Sequence, residues 1–296
     1  MTFHNAFNGF CMSLADSVPG VSGGTIAFIL GFYDRFINAL HALWGRDHQK
    51  RAMALRYLVN LGLGWVVGMV SCVLVLTSLF ERNIYFMSSV FLGLTVAAIP
   101  FIAAEEQNVL KGQGRNAIFT VIGAALVVAL SLLRDVTSGL SQIDMLALSL
   151  PQGIYVFISG MVAITAMVLP GISGSTILLI AGIYLPTLTA IKAVLSLEFA
   201  ALPGLLLLGG GLLAGVAVSI SFIRKALREH RSQMVYLILG LMAGSLFAIV
   251  KGPTTLDAAQ PALGLANFSI VGFIVGIAVL FGLERLKNVR ERLGSR

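Results

Sequence analysis

Pro19-Gly20-Val21-Ser22-Gly23-Gly24-Thr25-Ile26 returns 151 residues later as Pro170-Gly171-Ile172-Ser173-Gly174-Ser175-Thr176-Ile177. The match runs on without a gap through Ile29 and Ile180, Gly31 and Gly182, Tyr33 and Tyr184, and Ala39 and Ala190, giving ten identities in the 23 positions from Val18 to Leu40. Each copy interrupts an otherwise apolar stretch, at about 5–43 and about 152–195. Proline lacks the amide donor and glycine tolerates positive φ, so each element breaks the helix that its flanks would form. Each stretch therefore reads as a broken, re-entrant helical hairpin with a polar tip.

The surroundings of the hairpins are apolar from end to end. Of 296 residues, 57% are hydrophobic and 11% charged, and mean hydropathy is +0.93, whereas a soluble domain carries about a quarter charged residues. Lipid is the main solvent. Plain spans of about 20 apolar residues are expected near 57–80, 85–103, 117–134, 202–223, 235–251 and 267–284. The first span after each hairpin repeats as well, pairing Gly62, Gly64 and Gly68 with Gly209, Gly211 and Gly215, and Leu92-Gly93-Leu94 answers Leu239-Gly240-Leu241. The unit is a hairpin plus three spans, 1–140 and then 141–296, within one membrane domain. Three is odd, so the second copy enters from the opposite side, as in the inverted repeats of secondary transporters. The fold class is an all-α polytopic membrane protein.

Net charge is +7, and its placement fixes a topology. Arg46, Lys50, Arg51 and Arg56 form one basic cluster, Arg224, Lys225, Arg228 and Arg231 a second, and Arg285, Lys287, Arg290, Arg292 and Arg296 a third. One path puts all three on the cytoplasmic side together with both termini, as the positive-inside rule requires. The clusters are thus read as topology signals and not as a nucleic-acid surface. No Lys or Arg precedes Arg35, so the N-terminus lacks the basic start of a signal peptide and reads as part of the mature fold. Cys11 and Cys72 lie in apolar surroundings without metal or redox spacing, and no phosphate-loop or dinucleotide motif occurs; no cofactor and no metal are expected.

A helix-broken polar segment at membrane depth is tolerated where protein or a water-filled cavity satisfies its backbone. The two tips therefore point to a shared interior. Helix N-termini with glycine-exposed amides and nearby hydroxyls suit an oxyanion. The candidate phosphate-binding set is Ser17, Gly20, Ser22, Gly23, Gly24, Thr25 and Arg35 in the first copy and Gly171, Ser173, Gly174, Ser175 and Thr176 in the second, with Pro19 and Pro170 as helix breakers. Asp16 and Asp34 are candidates for carrying a proton, since an ionisable group inside a membrane is costly without a role. The second copy has Met167, Leu185 and Pro186 where the first has Asp16, Asp34 and Arg35, so the halves are unlike in charge. Small-residue pairs such as Gly64 and Gly68, Gly211 and Gly215, Gly240 and Gly244, and Gly272 and Gly276 are assigned to helix packing. Glu105, Glu106, Glu81, Arg82 and Arg134 sit at span ends and read as solvated.

Ala15-Asp16-Ser17-Val18-Pro19-Gly20-Val21-Ser22-Gly23-Gly24-Thr25, followed by Gly31-Phe32-Tyr33-Asp34-Arg35 and answered by Pro170-Gly171-Ile172-Ser173-Gly174-Ser175-Thr176, resembles the bacterial polyprenyl-phosphate translocase family, over essentially the whole chain. The resemblance implies a flippase of the bacterial cytoplasmic membrane that returns undecaprenyl phosphate, the carrier lipid of cell-wall synthesis, from the outer to the inner leaflet, without enzymatic activity. The partners so implied are a polyprenyl phosphate and membrane lipids; a homo-oligomer stays open. Two other readings stand beside it: a transporter of a small soluble anion, and an intramembrane serine hydrolase built on the Gly-x-Ser-Gly of either tip. The latter lacks a base, because His4, His41, His48 and His230 lie in the terminus or in polar clusters and a serine nucleophile needs one within reach.

Overall fold

The computed structural model describes residues 2–16, 22–71, 77–137, 143–146, 148–255 and 260–294. Among them are thirteen α-helices: α1 (Thr2–Asp16), α2 (Gly23–Ile29), α3 (Tyr33–Ala42), α4 (His48–Ser71), α5 (Thr77–Glu105), α6 (Gln107–Leu110), α7 (Ile118–Thr137), α8 (Leu150–Val168), α9 (Gly174–Ile180), α10 (Tyr184–Leu195), α11 (Leu202–Glu229), α12 (Arg231–Lys251) and α13 (Ile270–Gly294). Six of these elements, α4, α5, α7, α8, α11 and α12, are long and apolar enough to cross a bilayer, and α13 contributes a shorter apolar piece, Ile270–Gly282. The protein is an all-α, multi-pass membrane protein.

Hydropathy marks where lipid lies, and helix ends follow capping chemistry instead, so the boundaries differ from the expected spans. The span expected at 57–80 sits on α4, which starts at His48 and is described to Ser71. Asp47 causes the early start: its Oδ1 accepts the amides of Gln49 at 3.0 Å and Lys50 at 3.1 Å, an N-cap laid down inside the basic cluster. α11 likewise runs past the expected 223 to Glu229. α5, described from Thr77, is kinked at Asn83, whose φ and ψ are −137° and 41°.

Each hairpin has two breaks where one was expected. After the tip a helix of seven residues ends, and a second helix starts from Tyr33 or Tyr184. Gly31 (φ 71°) and Gly182 (φ 68°) supply the left-handed residue. The amide of Phe32 then reaches back to the carbonyl of Ala27, and that of Ile183 to Leu178, both at 3.0 Å. This is the same glycine-terminated helix end in both copies. Gly31 and Gly182 were visible as repeat identities, but their meaning as helix stops was missed.

α1 lies along α4 and α8 along α11, the same pairing in each copy. The remaining pairs cross between copies: α13 lies along α5, and α7 along α12. Each half thus lends its last span to the other, and one buried cluster joins residues from Cys11 to Leu280. Lipid tails give two apolar helices no reason to associate, so close backbone approach must do it. The glycines assigned to packing stand at these four seams: Gly64 faces the Ala6 backbone, Gly211 that of Phe157, Gly240 that of Thr120 and Gly276 that of Val90.

These contacts predict a site-specific stability pattern. Gly64→Leu and Gly211→Leu are expected to destabilise the detergent-solubilised protein by about 1–3 kcal/mol or more, read as a lower melting temperature. Gly62→Leu is expected to melt as wild type, because a Cβ there meets nothing within 4 Å.

Candidate functional site

The two tips meet inside the protein. Gly171 donates its amide to Thr25 Oγ1 at 3.1 Å, and Ser22 Oγ donates to the Leu169 carbonyl at 3.5 Å. Tyr33 donates its hydroxyl to the Val168 carbonyl at 3.1 Å. Hydroxyls of the first hairpin thereby cap the carbonyls that α8 leaves free at its C-terminal end. The approach is close enough that a Cβ at Gly24 would stand 3.2 Å from the Val168 carbonyl and 3.3 Å from the Pro170 nitrogen. Gly171 is held by conformation and space together, with φ 91° and the Leu241–Met242 backbone of α12 against its Cα. Ser22, Thr25 and Ser173 are all buried.

The expectation of free amides at the first tip is not met in this conformation. Gly23 gives its amide to Asp16 Oδ1 at 2.7 Å, Gly24 to Ser22 Oγ at 3.1 Å and Thr25 to the Ser22 carbonyl at 2.9 Å. The carboxylate of Asp16 occupies the position that suits an oxyanion, and its other oxygen accepts the Trp65 indole N–H at 2.8 Å. The second copy has Met167 there, whose Cβ and Sδ lie 3.3 and 3.4 Å from where a Cβ of Gly174 would stand. A thioether donates and accepts almost nothing, so Met167 does not take the part that the Asp16 carboxylate plays at the first tip. Its Thr176 amide bonds to the Ser173 carbonyl at 3.1 Å. Ser17, Pro19 and Gly20 lie outside the described residues, as does the side chain of Ser175.

Asp34 and Arg35 are not at the tips. Asp34 accepts from Arg231 Nη1 at 2.9 Å, and Arg231 Nε reaches Glu106 Oε2 at 3.0 Å, with Nη2 on the other Glu106 oxygen. Glu106 is thus held in a fork, its side chain only 13% exposed, where a solvated residue was expected. One guanidinium fastens α3 to the junction of α5 and α6 through the start of α12. Arg35 stacks over the Tyr57 ring, 4.5 Å from its centroid. The sequence reading gave Tyr33 and Trp65 no site role, took Arg231 for a topology signal and Glu106 for a solvated residue. Only Tyr33 carried a signal, its recurrence as Tyr184.

The undecaprenyl phosphate translocase-like family matches residues 12–266. The chain belongs to that family. A polyprenyl-phosphate transporter of Staphylococcus aureus is 33% identical over 290 residues, 97% of this chain and 98% of its own length. A polyprenyl-phosphate transporter of Vibrio cholerae is 31% identical over 260 residues, 84% of this chain and 78% of its own. No solved structure matches significantly. These relatives are named transporters and not enzymes, in line with the reading against catalysis. Ser22 Oγ is engaged by Gly24 and Leu169, and among the described residues no histidine bonds to it.

The Asp16 arrangement predicts an ordered pair of variants. Asp16→Ala strands two buried donors at a cost of about 1–3 kcal/mol each, whereas Asp16→Asn keeps an acceptor. Thermal melting in detergent is expected to fall clearly for the first and less for the second.

Proposed function

We propose that the chain carries a polyprenyl phosphate across the bacterial cytoplasmic membrane, from the outer to the inner leaflet, so that undecaprenyl phosphate is returned for cell-wall synthesis. Family membership and the names of the two relatives support the substrate class. The observation that carries the mechanism is the contact between the tips, Gly171 amide to Thr25 hydroxyl at 3.1 Å in the interior. Both partners are groups that an oxyanion takes readily, so a phosphate head entering between the tips exchanges one set of hydrogen bonds for another. The isoprenoid tail stays in lipid throughout.

On this reading the two copies, 1–140 and 141–296, are inverted with respect to the membrane, with both termini cytoplasmic. Exposure of the tips alternates between leaflets as one hairpin moves against the other. The second tip takes the larger share of the phosphate through Gly171, Ser173, Gly174, Ser175 and Thr176, because Asp16 already fills the first. Protonation of Asp16 weakens its hold on the Gly23 amide and the Trp65 indole and makes the first tip available. That couples the head group to a proton. Asp34, paired with Arg231, belongs to a latch between α3 and α12 rather than to the proton path. A small soluble anion would meet the same donors and remains the competing reading.

Reconstitution in liposomes separates these. A fluorescent polyprenyl phosphate is expected to be flipped by the wild type, with Thr25→Val and Ser22→Trp slowing it about tenfold or more, a loss of about 1.4 kcal/mol in barrier terms. Undiminished flipping by both variants removes the tips from the mechanism, and uptake of inorganic phosphate in place of the lipid selects the soluble-anion reading.

A further inference from the structure

Away from the tips, the outer end of α3, the 43–47 connection, the first turns of α4 and the last turns of α11 enclose an open pocket of about 630 Å³. Arg35, Asn38, Arg46, Lys50, Tyr57 and Arg224 stand in its wall. Its carboxylate, Asp47, is already used: it caps α4 and holds Lys50 Nζ at 3.3 Å. Among the described residues no ion pair takes up Arg35, Arg46 or Arg224. Three guanidiniums around one pocket repel one another unless an anion lies between them.

Two of them are held in place by neighbours that leave most of their donors free. Arg35 Cζ lies 4.5 Å from the Tyr57 ring centroid, and among the described residues Arg224 gives its Nε to Asn38 Oδ1, at 2.7 Å. A guanidinium has five N–H donors in a fork that matches phosphate oxygens. Tyr57 is 5% exposed, and its hydroxyl is buried without a hydrogen-bond partner among the described residues. The remaining wall is His41, whose ring nitrogen lies 3.3 Å from Ser221 Oγ, with Ala39, Ala42, Gly45, Met53 and Ala54, and Met53 is 60% exposed. Further along α4, Val59 and Leu63 are exposed apolar residues. A basic pocket between membrane helices with a lipid-facing flank is the kind of place that takes a lipid phosphate head.

We propose that this pocket is a second phosphate-monoester site, separate from the hairpin tips, where the head group docks at the basic end of the protein. The lipid source of that phosphate rests on the carrier reading above; free phosphate has the same chemistry. The second copy has Pro186 where Arg35 stands in the first, so it lacks that guanidinium at the equivalent place. The pocket therefore gives a pseudo-symmetric carrier a polarity: one end retains the phosphate longer than the other.

The test is protection of a cysteine in the pocket wall. Ala42→Cys in a Cys11→Ala, Cys72→Ala background, purified whole in detergent, is labelled with a water-soluble maleimide. Farnesyl phosphate is expected to slow labelling about tenfold at saturation, and farnesol to leave it unchanged. Arg46→Gln with Arg224→Gln is expected to abolish protection, while Thr25→Val at the tip keeps it. Should the double variant lose the wild-type melting profile, Arg46→Gln alone, at an exposed loop position, is expected to weaken protection. Protection by inorganic phosphate at the same concentration assigns the site to free phosphate and keeps it. Absence of protection by either phosphate, or protection that survives the arginine changes, overturns the pocket. If liposomes still flip polyprenyl phosphate then, the carrier reading stands without it; protection without flipping has the reverse meaning.

Discussion

No water reaches the hydrocarbon core of a bilayer, so every amide and carbonyl that a broken helix releases has to find its partner inside the protein. Two broken helices placed tip to tip solve this for each other. Thr25, Ser22 and Tyr33 of the first hairpin bond backbone groups at the end of α8 and the start of the second tip. Hydroxyls suit that task because each both donates and accepts.

The frame around the tips is rigid for a different reason. Helices in lipid gain nothing from hiding apolar surface, and the seams of α1 with α4, α8 with α11, α7 with α12 and α5 with α13 are made by glycines that bring backbones together. Because the last spans cross over between halves, neither half closes its core alone. The Arg231 fork to Asp34 and Glu106 ties the first hairpin to the central helices at one end.

The copies match in backbone and differ in charge, and the charge decides how each behaves. Asp16 fills the first tip with an internal carboxylate, while the second copy has Met167 at that place. Arg35 and Arg224 meet in one pocket, and Pro186 stands where Arg35 would recur in the second copy. A carrier that were fully symmetric would hold its cargo equally at both faces. The side chains on the repeated elements differ in charge between the copies.

Composition, the 151-residue repeat and the Pro-Gly-x-Ser-Gly elements determined that the chain is helical, lies in the membrane and carries two broken hairpins, because proline, glycine and lipid solvation act locally on any chain. The glycine pairs were also legible as packing residues, since their spacing is that of one helix face. Partners far apart in sequence were decided by the tertiary structure alone. That Asp16 holds Gly23 and Trp65, that Arg231 serves Asp34 and Glu106, and that Arg35 shares a pocket with Arg224 depend on which helices become neighbours. Charge and hydroxyl chemistry say what a side chain will accept; only the packed helices say who is near enough to offer it.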